Sequence, residues 1–181
     1  MTPSRKIWTP GSEWPEELLL ATRKKYRLRR ADRYTTLCIC AADQLLQGAT
    51  LPADSALITV SAFGPSATSF QTVMDILDVP AEEISPTTFS HSVHNAAAAY
   101  LGIAFGLHGP TYALTGFQTD LRENALTLAE SLVMLHRAPH ALVIAVEAQS
   151  IVTDAAHPCY PEKYPAPLQE TLFAALISGK G

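Results

Sequence analysis

Gly109 to Leu126 reads GPTYALTGFQTDLRENAL, and the fold follows from how this stretch is parsed. Gly109-Pro110 is a turn signal, Thr111 to Thr115 a short apolar and β-branched strand, and Gly116 a second breaker before a polar helix start. A strand, a sharp elbow and a helix in that order present one side chain at the tip. Here that side chain is Gln118, and an amide is no nucleophile at neutral pH.

Working outward, the helix predicted over Thr119 to His136 carries a stripe of Leu121, Ala125, Leu128, Leu132 and Leu135, widened by Ala129, Val133 and Met134. Such a helix is expected to need cover on more than one side. Upstream, His94 to Phe105 (HNAAAAYLGIAF) has almost no polar face and reads as a central helix whose small side chains admit close neighbours. Ser55 to Phe63 (SALITVSAF) and Ala141 to Ala148 (ALVIAVEA) are continuous apolar runs, the pattern of strands buried on both faces. Leu172 to Ile177 is a last strand. Further helices are predicted over Ala31 to Leu46, ending before Gly48, and over Ser69 to Leu77, stopped at Pro80. Strands alternating with helices predict an α/β fold with right-handed crossovers.

With 181 residues, 48% hydrophobic and 17% charged, a single domain with a real core is expected. Residues 1–28 read as a leader segment, irregular at first around Pro3, Pro10 and Pro15, and 29–181 as the domain. Pro158 to Pro167 reads as a loop. A net charge of −4 gives no general reason to expect nucleic acid, although Arg23 to Arg30 (RKKYRLRR) is a dense basic run. It reads as a solvated helix face, the alternative being a surface that attracts an acidic partner. Cys38, Cys40 and Cys159 form no disulfide framework and read as buried thiols of a reducing compartment. No metal, P-loop or cofactor motif is present. The N-terminus lacks the apolar core of a signal peptide, and no run is apolar for long enough to span a bilayer, so a cytoplasmic protein is expected.

Ser85 to Pro110, SPTTFSHSVHNAAAAYLGIAFGLHGP, resembles the stretch of β-ketoacyl synthases that passes through an Asn-Ala-rich helix to a Gly-Leu-x-Gly-Pro turn. Arg29 to Arg33 (RRADR) resembles the early Arg-Arg helix start of that family, and ALVIAVEAQS the strand that follows its nucleophile helix. The resemblance implies the N-terminal half of a thiolase-like fold, with a mixed, mostly parallel sheet of about five strands and helices on both faces. It also puts Gln118 on the position of the nucleophilic cysteine. Glutamine can neither ionise nor form the thioester that condensation requires, so acyl loading at this site is excluded. The His-Gly-Thr and Asn-Ser-Phe-Gly motifs of the second half are missing from these 181 residues, and His91, His94, His108, His136, His140 and His157 match none of the catalytic histidines.

Glutamine in place of cysteine resembles the chain length factors of type II polyketide and aryl polyene-like systems. The resemblance implies a half-length, non-catalytic subunit that pairs with a full-length active ketosynthase, meets acyl carrier protein only indirectly and shapes the acyl channel. Its implied channel and interface residues are Thr88, Phe89, Ser90, His94, Asn95, Thr115, Phe117 and Gln118, with no catalytic residue, metal or cofactor. Two other readings stay open: a decarboxylase of malonyl thioesters using Gln118, and a carrier- or ligand-binding module built on the free N–H groups of the elbow. Gln118 itself either lines the channel or caps the helix.

Overall fold

The computed structural model describes residues 3–10, 15–117, 120–164 and 167–179. Five strands, β1 (Ser4–Trp8), β2 (Ala56–Ser61), β3 (Thr111–Thr115), β4 (His140–Glu147) and β5 (Thr171–Ser178), form one mixed sheet in the order β1-β5-β4-β2-β3. β2 is parallel to β3 and β4, whereas β5 runs antiparallel to both its neighbours, β4 and β1. Four strands therefore point one way and β5 alone is reversed.

The continuous apolar runs serve both faces at once, because successive side chains of a strand alternate. Leu57, Leu142, Ile144, Val146, Leu172 and Ala174 enter one core, with α1 (Glu16–Lys25), α2 (Arg33–Leu46) and α5 (Ala96–Phe105). Ile58, Val60, Val143, Phe173, Ala175 and Ile177 enter the other, under α6 (Leu121–Met134). Asp32 starts α2 by accepting a hydrogen bond from the backbone N–H of Thr35 at 2.8 Å. The helix stops at Gln47, which takes the left-handed conformation one residue before the predicted Gly48.

Several expectations need correction. The predicted leader contains ordered structure: Ser4–Trp8 pairs along β5 from Ser178 to Ala174, and α1 follows. Pro3, Pro10 and Pro15 flank these elements instead of interrupting them, which is why breaker counting misread the segment. Nor is α6 covered on more than one side among the described residues. It buries Ala125, Leu126, Ala129, Leu132 and Val133 on the sheet, while Arg122, Glu123, Thr127 and Ser131 face outward. Leu135, assigned to its stripe, is 69% exposed beyond the last turn.

The Ala-rich helix begins at Ala96 and buries Ala96, Ala97, Ala98 and Leu101, but leaves Ile103 84% exposed. Cys38 and Cys40 are buried as expected; Cys159 is exposed, at the end of a helix the periodicity did not reveal, α7 (Ile151–Cys159). Ser150 opens α7 with a capping box shared with Thr153. The basic run spans the last turn of α1 and the loop after it, so it makes no single helix face. Lys25 pairs with Asp43 at 2.6 Å, and Arg23 donates to the Ala31 carbonyl at 3.1 Å.

Candidate functional site

In open α/β sheets, ligands bind outside the carboxyl ends of the parallel strands. At that end of β4 stands Glu147. Its carboxylate accepts hydrogen bonds from the Ser61 hydroxyl at 2.9 Å, from the Phe63 N–H at 3.1 Å and from the Ala62 N–H. Ser61 Oγ in turn accepts from the Gly64 N–H at 2.6 Å. One acidic side chain thus stitches β4 to the loop between β2 and α3 (Ser66–Asp78). Burial pushes the Glu147 carboxyl above its ordinary range, opposed by the N–H groups of Ala62 and Phe63 and by the Ser61 hydroxyl. Burial also raises Cys38 and Tyr34, which stand behind this loop.

The loop carries a glycine for a concrete reason. Gly64 has φ +53, and a Cβ there would lie 2.6 Å from His94 Cδ2. His94 therefore fills the space a side chain at 64 would take, with its Nε2 buried and without a hydrogen-bond partner.

From this loop Phe63 reaches a cluster of rings. Phe63 and Phe117 meet edge to face with centroids 5.3 Å apart, and Tyr164 closes the triangle at 5.8 Å from Phe63 and 6.2 Å from Phe117. The Lys163 ammonium lies 4.1 Å from the Phe117 ring centroid. All three rings border two cavities. One, of about 410 Å³, runs over the strand ends and α6 and includes Arg122, Glu123 and Glu147. The other, of about 500 Å³, is an apolar groove between α3 and α7.

The residues expected from the sequence fall in two places. Thr115 ends β3, Gly116 turns with φ +156, and Phe117 joins the ring cluster; Gln118 lies outside the described residues. His94 reaches the edge of the same site through Gly64. Thr88, Phe89 and Ser90 stand apart on α4 (Pro86–His91), a short helix that packs on α3 and α5. Ser85 caps that helix by accepting from the Thr88 N–H at 3.3 Å, and Phe89 is 59% exposed. Asn95 occupies the N-cap of α5, exposed and without a side-chain cap bond. Sequence reasoning missed Glu147, Ser61, Phe63, Lys163 and Tyr164. A lone acid closing an otherwise apolar buried strand was the one available signal, and it pointed to Glu147. Among the described residues no group of His, Cys, Asp or Glu is arranged to hold a metal ion. No helix among them is long and apolar enough to cross a membrane.

The mixed five-strand sheet with helices on both faces is that of the N-terminal, ketosynthase-type half of a thiolase-like fold, and the sequence profile agrees. The profile of the β-ketoacyl synthase N-terminal domain matches residues 8–177, and the chain belongs to that family.

Among solved structures, the chain is similar to the ishigamide ketosynthase/chain length factor, with a TM-score of 0.67 at 21% identity, over 83% of this chain and 44% of that one. It is also similar to the ketosynthase ApeO in complex with its chain length factor ApeC from Xenorhabdus doucetiae, with a TM-score of 0.68 at 18% identity, over 100% of this chain and 80% of the matched one. A β-ketoacyl synthase from Burkholderia phymatum STM815 matches with a TM-score of 0.68 at 11% identity, over 94% of this chain and 47% of that one. At these identities the likeness is one of fold, and the chain spans less than half of the ishigamide and Burkholderia proteins. No curated protein matches the sequence.

Proposed function

We propose that this chain is a non-catalytic ketosynthase-like subunit of the chain length factor type, which pairs with an active β-ketoacyl synthase and shapes its acyl channel. The observation that carries the reading is the outer edge of β3. It is a sheet edge without a single charged residue, TYALT, with Tyr112 exposed on it, and α5, which packs against β3, exposes Ile103. An uncharged sheet edge that no other strand among the described residues pairs with is a template for pairing with another chain. Two of the similar structures are described as ketosynthases with chain length factors, and in the Xenorhabdus complex this chain aligns over its full length.

In this reading Thr88, Phe89 and Ser90 reach the partner's channel from α4, while His94, Asn95, Thr115, Phe117 and Gln118 line the elbow side. The ketosynthase-like half includes β1 and α1, which the 29–181 boundary left out, acyl carrier protein is met through the partner, and the pair works in the cytoplasm. Glutamine at position 118 leaves the chain without a nucleophile, so it neither loads nor condenses an acyl group on its own.

Co-expression with the ketosynthase it serves, followed by size-exclusion chromatography and mass measurement, tests the pairing; two species that never co-elute would reject it. Gln118→Cys in the isolated chain yields no ketoacyl product, because the groups that stabilise the developing carbanion are still missing. Thr88→Trp in the reconstituted pair shifts products toward shorter chains through overpacking worth about 1–3 kcal/mol against long ones. Mass spectrometry of carrier-bound products reads that shift, and a uniform fall at all lengths would assign Thr88 to the contact alone.

A further inference from the structure

The loop between β2 and α3 hangs on one carboxylate. Glu147 takes the Ala62 and Phe63 N–H groups directly and reaches the Gly64 N–H through the Ser61 hydroxyl, so consecutive residues share a single anchor. The loop in turn sets two neighbours. Phe63 enters the ring cluster, and Ser66, the first residue of α3, meets the hydroxyl of Ser150, the cap of α7, at 2.8 Å. Against Gly64 lies His94, from the turn before α5. A Cβ on Gly64 would fall 2.8 Å from its Nε2, and that nitrogen is buried with no hydrogen-bond partner among the described residues.

A neutral imidazole tolerates this place, since its ring packs on the glycine and one nitrogen goes unused. A protonated one does not, because it would bury a charged N–H without an acceptor. Burial pushes the Glu147 carboxyl above its ordinary range, while the loop N–H groups, the Ser61 hydroxyl and positive charge on His94 oppose that shift. The acid within electrostatic reach of His94 is therefore the anchor of the loop itself. No other ionisable group around the pair stands in for either member. Tyr34 and Cys38 on α2 and Tyr164 in the ring cluster are all raised by burial. Arg122 pairs with Glu123 on α6 at 3.5 Å, Lys163 rests on the Phe117 ring, and His91 at the end of α4 is bonded to the Tyr100 hydroxyl. Asp32 at the start of α2, Asp75 on α3 and Asp154 on α7 accept from Thr68, Gln71 and Gln149.

We propose that His94 and Glu147 form a proton-operated latch on the loop between β2 and α3. With His94 neutral, the carboxylate holds residues 61–64 and the loop is closed. Protonation turns the imidazolium toward Glu147, which exchanges its loop N–H groups for a charged partner, and the loop opens. Phe63 then leaves the ring cluster and α3 loosens at its first turn. The open form carries the extra proton, so it gains as pH falls and the closed form is complete at higher pH.

The test is amide hydrogen exchange on the isotope-labelled chain alone, read by nuclear magnetic resonance at about pH 8 and about pH 6 and corrected for the intrinsic exchange rate. Protection of the Ala62, Phe63 and Gly64 amides falls at least about tenfold between the two, while that of β4 stays constant. His94→Phe keeps a ring against Gly64 but takes up no proton, and its loop protection changes by less than about twofold over the same range. Glu147→Gln loses the protection at both pH values. Constant protection in the parent, or a fall that persists in full in His94→Phe, would overturn the proposal, and these two measurements decide it even where Glu147→Gln does not fold. No ketosynthase is present, so the outcome is independent of the pairing reading.

Discussion

The two edges of the sheet are built on opposite principles. β1 closes one edge with SRKIW, where Arg5 pairs with Glu130 at 2.7 Å and Lys6 donates to the Leu45 carbonyl at 2.6 Å. Both cations sit on an otherwise open strand, and a second chain adding there would have to bury or displace them. β3 closes the other edge with TYALT, which has no charge at all and exposes Tyr112. One edge is guarded and the other is left available. The sheet thus carries an orientation for assembly that does not depend on any catalytic residue.

The largest effect expected on this comparison comes from charging the available edge and the exposed Ile103 together. Ile103→Lys with Tyr112→Lys lowers the affinity for the partner ketosynthase at least a hundredfold, about 2.7 kcal/mol, because two like charges would be desolvated without counter-ions. Surface plasmon resonance measures it, and retained nanomolar binding would place the interface elsewhere. Tyr112→Lys alone is expected to cost about tenfold, or about 1.4 kcal/mol, with the melting temperature of the isolated chain nearly unchanged, since Tyr112 is 39% exposed there. Removing a guard has a smaller and different consequence. Arg5→Ala lowers chain stability by about 0.5 kcal/mol, as expected for a surface ion pair, and about 0.5 M salt erases the difference. Partner affinity does not change. Last, Ile7→Lys on the guarded edge moves neither stability nor pairing beyond about 0.5 kcal/mol; a large loss of pairing would break the contrast between the edges.

How much of this was legible depended on where the information resides. β2, β4 and β5 were readable because burial on both faces leaves long apolar runs, and α2 because its apolar residues recur at helical spacing up to the stop before Gly48. β1 was unreadable because its stability comes from β5, far along the chain, while its own residues are charged and exposed. The one-sided burial of α6 was misread for a related reason: small residues such as Ala125 and Ala129 look apolar in any context, and only the sheet shows which face they serve. At the site, Phe117 and His94 were picked from the family resemblance. Phe63, Tyr164 and Lys163 come from three separate segments and share no spacing that could have grouped them.

The antiparallel match of Ser4 with Ser178 has a consequence for rearranging the chain. Residues that neighbour each other across a strand pair lie only a few ångströms apart, so a short Gly-Ser bridge between these two positions could close the backbone into a ring. New ends could then be opened in the exposed single turn Ala81–Glu83, which has no buried residue and belongs to no strand. In such a circular permutant β1 would become a covalent hairpin with β5, and the guarded edge would be held even before the rest of the sheet assembles.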